Sequence, residues 1–469
     1  MCPEGCHETA GRAPFCADGR SAGPCRVRDP AAGPEYRCDT GAVCIRAVGE
    51  PAEQFKGRGR YEDATCDGQC GDGRKGEYVH WTLPTRRSSS RMTHALLVRV
   101  FASSPRLTPW IVQGGRCTSD KDCSLAGVCT SEGKCDCDPW AEGADCSYLR
   151  FAPVDRSRLG YLDERHSSWG GSVVRKRSDG SYSMYTSEIV CEDPDRRRRC
   201  GLDNWETHSR IVQATASDVD GPYRRVGSEP VVLHPEHHNP SLVVSPVTGD
   251  WHLFTISGPA GPIERVISND EGATWGAPRT LTPRQNPGPV LKEDGSVQLF
   301  YRADGLDLPS PTCSTEGIAV TRCPADDDAA PCDPPDDVPV FGHTGEDPHV
   351  FVDHRGRYHM LFNALPYRCR PKFEQGGHAW SADGVRWEPR PRIGAFDSTI
   401  RFTDGSSVQC ERRERPQMVV GEDGRPIALV SGVTGCPKAL GDDSAEVPGR
   451  FYRGADDSFT LVQKVGVGA

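Results

Sequence analysis

Long apolar runs are missing from this chain. The best stretch, Ala95 to Phe101, is interrupted by Arg99 and falls far short of the roughly 18 residues that a membrane-spanning helix needs. A surplus of Lys and Arg is missing too. The formal net charge of −10 has the wrong sign for neutralising phosphates, which argues against nucleic acid as a partner. No Cys-x-x-Cys pair occurs, so the cysteines lack the spacing of a zinc site. No Asn-x-Ser/Thr glycosylation acceptor survives, because Asn239-Pro240-Ser241 is blocked by its proline. Neither a cofactor nor a metal is expected. The chain starts Met-Cys-Pro-Glu-Gly-Cys, without the charged and apolar regions of a signal peptide.

Cysteine is what the chain has in abundance. Of 22 cysteines, 14 lie before residue 147, a density at odds with a reducing cytosol and natural in an oxidising compartment. The expectation is a secreted or extracellular/lumenal protein whose signal peptide is absent from this chain. Residues 1–116 form a cysteine-rich segment with eight cysteines among Gly, Pro, Arg and Asp. Eight cysteines allow 105 pairings, and none is singled out. Two apolar pieces between Tyr78 and Gln113, Leu96 to Phe101 and Trp110-Ile111-Val112, are candidate strands.

From about residue 150 to 469 the chain repeats itself. Five times a short apolar run is followed by a glycine-centred turn and a second apolar run. The turn glycines are 180, 249, 295, 356 and 424, spaced 46 to 69 residues apart. That spacing suits four-stranded blades, and the near absence of helical stretches favours a propeller over a sandwich. The fold class is all-β: a five-bladed β-propeller preceded by disulfide-rich modules. In a propeller the inner strands converge on a central channel, so the residues just before the leading prolines line one mouth. These are His238-Asn239, Gln285-Asn286, Glu346-Asp347 and Glu414-Arg415. Polar and acidic side chains gathered beside apolar strands imply a polar pocket.

Between the two regions stands Cys117-x5-Cys123-x5-Cys129-x5-Cys135-x-Cys137-x8-Cys146, with Pro139-Trp140-Ala141-Glu142-Gly143 before the last cysteine. This spacing resembles an epidermal-growth-factor-like (EGF-like) module at residues 117–147. The resemblance implies the pairs Cys117–Cys129, Cys123–Cys135 and Cys137–Cys146. Calcium-binding consensus residues do not precede Cys117, so no calcium is expected. Ser268-Asn269-Asp270-Glu271-Gly272-Ala273-Thr274-Trp275 has the form of an Asp box, and Ser381 to Trp387 is a shorter relative; both are read as structural turns.

Blades two to five resemble the five-bladed glycoside hydrolase superfamily of arabinanases, β-xylosidases and levansucrases. Glu346-Asp347-Pro348-His349 resembles the strand whose aspartate tunes the general acid. Glu414-Arg415-Pro416 resembles the strand whose glutamate is that acid. The resemblance therefore implies Glu414 and Asp347 as catalytic residues, with inversion if the chain is active. The family's general base stands directly before a proline two blades earlier, and here that position is Asn239. An amide cannot take a proton from water near neutral pH; Glu236, Glu346 and His238 are the candidate substitutes. Asn239, His238, Asn286, Glu346, His378 and Arg302 are the candidate sugar-binding residues.

Two readings follow. One is a glycoside-hydrolase-like propeller acting on a glycan or polysaccharide through its channel mouth. The other is a non-catalytic carbohydrate-binding or cell-surface interaction protein, which contacts an extracellular protein through its cysteine-rich and EGF-like modules. A sialidase is disfavoured, since neither a sixth blade nor an arginine triad is visible. The remaining cysteines admit a bridge Cys410–Cys436, one pair within Cys313, Cys323 and Cys332, and a loop closed by Cys191–Cys200. The insertion from Asp304 to Val338 is expected to shape the pocket.

Overall fold

The structure is a computed structural model. It describes residues 116–466 except 164–165, 191–200, 232–235, 259–260, 305–315, 326–331, 334–337, 342–343, 365–375, 390–393 and 437–457, together with five short strands nearer the N-terminus. The candidate strands of Tyr78–Gln113, the Cys191–Cys200 loop, Cys313 and the acidic run at Asp326 lie outside the described residues. One compact unit holds Met1–Gln113; the other holds Gly114–Arg368 and Lys372–Ala469. In the first, β1 (Cys6–His7) pairs with β2 (Phe15–Cys16), and β3 (Arg26–Val27), β4 (Glu35–Arg37) and β5 (Val43–Ile45) form a three-stranded sheet.

The second unit opens with a cysteine module of two hairpins, β6 (Gly127–Cys129) with β7 (Cys135–Cys137) and β8 (Ala141–Glu142) with β9 (Tyr148–Leu149). Its disulfides are Cys117–Cys129, Cys123–Cys135 and Cys137–Cys146. So small a module cannot bury an adequate core of its own, and bridges that constrain the unfolded chain take its place.

Five antiparallel sheets follow. Blade one is β10 (Ser167–Arg175), β11 (Tyr182–Ile189), β12 (Ser209–Ala216) and β13 (Arg224–Arg225). Blade two is β14 (His237–Val244), β15 (Trp251–Ser257), β16 (Ile263–Ser268) and β17 (Arg279–Thr282). Blade three is β18 (Gln285–Leu291), β19 (Val297–Ala303) and β20 (Gly317–Cys323), with one outer bridge among the described residues, Ala319 to Pro339. Blade four is β21 (Glu346–Val352), β22 (Tyr358–Asn363), β23 (Gly376–Ser381) and β24 (Glu388–Pro389). A hairpin of β25 (Thr399–Arg401) and β26 (Ser407–Gln409) precedes blade five, which is β27 (Arg412–Val420), β28 (Pro426–Thr434) and β29 (Phe459–Lys464). The protein is a five-bladed β-propeller.

Its core is five wedges rather than one centre. Phe254 and Ile256 meet Leu299 and Tyr301 between blades two and three, and Phe300 and Ile318 meet Met360 and Phe362 between three and four. Phe351 and Leu361 meet Met418 and Leu429 between four and five. Val430 and Val462 meet Met184 and Ala214 between five and one, and Tyr185 and Ile211 meet Trp251 and Leu253 between one and two. Strands buried on both faces explain why each reads as a short continuous apolar run. The circle closes where β29 receives chain from before blade one, through bridges Tyr161–Thr460 and Phe151–Val465. Gly160 makes that approach possible: a Cβ there would lie 2.4 Å from the Thr460 carbonyl oxygen.

The cysteine module is seated on blades four and five. Trp140 is 2% exposed and meets Phe351, His359 and His378 edge-to-face at 5.8, 5.1 and 6.2 Å. Arg357 donates to the carbonyls of Leu125 and Gly127, both at 3.1 Å, and pairs with Asp120; Arg355 pairs with Asp138. Burying an aromatic of this size dominates such a contact. Trp140→Ala should therefore cost about 3–5 kcal/mol and lower the denaturation midpoint followed on the propeller's own tryptophans. A midpoint unchanged from wild type would show that the module hangs free.

Candidate functional site

Each inner strand begins with the same irregularity. The register slips between Trp169 and Ser172, His238 and Ser241, Gln285 and Gly288, Glu346 and His349, and Glu414 and Gln417. Inside each slip one residue adopts the left-handed backbone conformation: Gly170 (φ 58°), Asn239 (55°), Asn286 (57°), Asp347 (56°) and Arg415 (57°). An extra residue in a strand re-aims its side chain. Five equivalent bulges thus aim five positions at the propeller axis. Asn and Asp tolerate the conformation; for Arg it costs roughly 1–2 kcal/mol. Gly170 has a second reason to be glycine, since a Cβ there would meet Arg415 Cβ at 2.8 Å.

The ring is divided by charge. On blades two and three, Asn239 Nδ2 donates to Asn286 Oδ1 at 2.8 Å, and the Asn239 amide donates to Ser187 Oγ at 3.0 Å. On blades four and five, Arg415 Nη1 donates to Asp347 Oδ1 at 2.7 Å, with both side chains at most 5% exposed. Arg412 grips Glu414 bidentately, Nε at 2.7 Å and Nη2 at 2.8 Å, the strong geometry for a guanidinium and a carboxylate. Its neighbour Arg413 points to the other face of β27, as strand alternation requires, and lies over Phe151 at 4.4 Å. Glu346 accepts from Arg302 Nη1 and from Asn363 Nδ2, each at 3.1 Å. Arg302 also donates to Gln285 Oε1 at 3.2 Å.

One carboxylate oxygen from each of Glu346, Asp347 and Glu414 lies within 4.8 Å of the other two. Such spacing suits a divalent cation's donors, but each of the three already has a guanidinium beside it, Arg302, Arg415 and Arg412 in turn, so the cluster has its countercharges without an ion. Burial pushes the Glu346 carboxyl up to about 8, with Asp347 and Glu414 adding to the rise and Arg302 opposing it. His238 bonds Ser209 Oγ through Nδ1 at 2.7 Å and stacks on Trp205 at 4.7 Å. Burial, then Arg415, holds its imidazole well below the usual range, so it stays neutral.

The structure thus gathers Glu414, Asp347, Glu346 and Arg302 into one ion-paired cluster, with Asn239, Asn286 and His238 completing the ring's other half. His378 is not among them. It sits on β23 opposite Leu361, fully buried, and bonds His359 at 3.1 Å beneath Trp140. Glu236 is exposed. Nor does the Cys323–Cys332 staple reach the ring: β20 runs away from it, so the bridge closes on the opposite face. The hydrogen bonds of Ser268, Asp270 and Thr274 tie that turn together, far in strand order from the ring. Sequence reasoning missed Trp205 and Asn363; both stand in non-repeating context, and only the pairing of β22 with β21 brings Asn363 to Glu346.

No protein-family profile and no curated protein matches this sequence. Among solved structures, the chain is similar to a family 117 glycoside hydrolase from the marine bacterium Zobellia galactanivorans, at 14% identity over 68% of this chain and 90% of that one, TM-score 0.43. It is also similar to the α-L-arabinofuranosidase of Podospora anserina, at 12% identity over 67% and 99%, TM-score 0.43. A third is an N-acetylgalactosamine deacetylase from F. plautii, at 12% identity over 67% and 94%, TM-score 0.45. Likeness at this level assigns no activity.

Removing one partner of a buried ion pair leaves an uncompensated charge and costs about 3–5 kcal/mol. Arg415→Ala should show a loss of that size in urea denaturation, and adding Asp347→Asn should recover most of it. Strictly additive losses would mean that the two side chains do not depend on each other.

Proposed function

We propose that this protein is a secreted or lumenal propeller that binds glycans at the ring end of its channel without hydrolysing them, with residues 117–147 as an EGF-like module braced against its side. The observation that carries the reading is the charge arrangement of the ring. Hydrolysis with inversion requires a protonated acid and, roughly 6.5–9.5 Å away, a carboxylate that activates water. Glu414 accepts both arms of Arg412, one oxygen of each of Glu346, Asp347 and Glu414 lies within 4.8 Å of the others, closer than inversion needs, and the facing positions on blades one to three are Gly170, Asn239 and Asn286. Three acids crowd one side, and amides occupy the place of the base.

What remains is a recognition surface. Planar amides, carboxylates and guanidiniums in fixed orientation are suited to the paired hydroxyls of a sugar, and Trp205 beside His238 supplies an aromatic ring next to them. The five described disulfides suit an oxidising compartment.

The test is a glycan array probed with the full chain, beside a hydrolysis panel of aryl glycosides and polysaccharides. Binding without turnover is expected, and Trp205→Ala should weaken the bound glycan by about tenfold, the value of one good aromatic contact. Turnover that vanishes in Glu414→Gln would overturn the non-catalytic reading. An array with no signal would overturn the glycan itself.

A further inference from the structure

The carboxylates of blades four and five do not share their countercharges evenly. Asp347 has Arg415 to itself within this cluster, and Glu414 takes both arms of Arg412. Glu346 lies beside both anions but receives one N–H from Arg302 and one from the neutral Asn363. Arg302 is in turn divided among Glu346, Gln285 and Asp304. Three close carboxylates do not all ionise when buried; the least compensated one keeps its proton.

The groups around Glu346 agree with that assignment. From β19 comes Arg302 with Asp304 just beyond it, and Glu316 stands just before β20. From its own strand come Asp347 and His349, the latter depressed to about 4 by burial and so neutral. From β27 comes Glu414, with Arg412 bonded to it and Arg415 bonded to Asp347; Arg413 faces away, over Phe151. β18 offers Gln285 and β22 Asn363, neither charged; His359 and His378 stack under Trp140, buried and depressed.

We propose that Glu346 is the proton-bearing carboxyl of the ring and donates a hydrogen bond to an oxygen of the bound sugar, while Asp347 and Glu414 serve as fixed acceptors. The proposal rests on the glycan reading for its ligand, but the protonation stands without one. A carboxylic acid kept neutral by its surroundings is a strong donor in a dry site. Its rise to about 8 from an ordinary 4.5 sets the working range. Below about pH 8 the ring has a donor; above it, a third negative charge faces the ligand. Since the folded value is the higher one, this group's contribution to stability is complete below pH 4.5 and is lost as pH rises to about 8.

The experiment has two arms, both on the full chain. Carboxyl-labelled glutamate is titrated by carbon NMR from pH 5 to 10 in the ligand-free protein. One resonance should titrate near pH 8 and be missing in Glu346→Gln. If every glutamate titrates below about pH 6, an ordinary carboxylate range, the proposal is overturned, and the wild-type curve alone decides this. The neutral glycans of the array are then probed at pH 7 and pH 9. Wild-type binding should fall roughly tenfold, as one ionisation at pH 8 requires, whereas Glu346→Gln should bind more weakly but equally at both. Binding that ignores pH, beside a resonance near pH 8, would overturn the donor role. No binding at either pH would overturn the glycan reading while leaving the proton on Glu346.

Discussion

Five sheets meeting at one axis leave little room, and the left-handed residue at the start of each inner strand decides what occupies it. The bulge turns one side chain per blade inward: nothing from Gly170, amides from Asn239 and Asn286, a carboxylate from Asp347 and a guanidinium from Arg415. Because the ring is only five positions around, each side chain faces its neighbours in the next blades, and their charges must balance locally. Arg415 reaches Asp347 across the boundary between blades four and five, and Asn239 reaches Asn286 between two and three. The empty place at Gly170 is what accommodates the Arg415 stem.

The arrangement also separates a structural face from a chemical one. The first and second strands of every blade are joined by tight turns at residues 176–181, 245–250, 292–296, 353–357 and 421–425, all at the end away from the ring. The second and third strands are joined at the ring end, where the spans 190–208, 304–316, 364–375 and 435–458 are much longer, while blade two's 258–262 stays short. Loops that vary in length over a rigid scaffold are where recognition is usually built.

Much of this was legible in the sequence. The blade count followed from glycine turns between apolar runs, because a strand buried on both faces must be apolar and its hairpin must turn tightly. On blades two to five the bulged residues stand directly before a proline; Gly170 of blade one does not. The partners were not legible. Which of Arg412, Arg413 and Arg415 would hold Glu414 depends on strand parity at a bulge, which residue types alone do not reveal. The pairing of Asp347 with Arg415 spans 68 positions and exists only once blades four and five are adjacent. His378 was a candidate sugar-binding residue; its strand is third in the blade, outside the inner strands. Trp140 read only as part of the EGF-like resemblance, and nothing local announced that its ring would be buried against blade four.

The closure of the circle has a consequence for how the protein is made. Blade five takes its third strand from residues 459–464 and its outer bridges from Phe151 and Tyr161, positions synthesised some three hundred residues earlier. Without β29 the edge of β28 stays unpaired, and an unpaired strand edge can recruit a wrong strand. The Cys410–Cys436 bridge ties the start of β27 to the end of β28. Closing the ring therefore depends on a strand distant in sequence from blade one, and a chain without residues 459–464 would leave β28 without its outer partner.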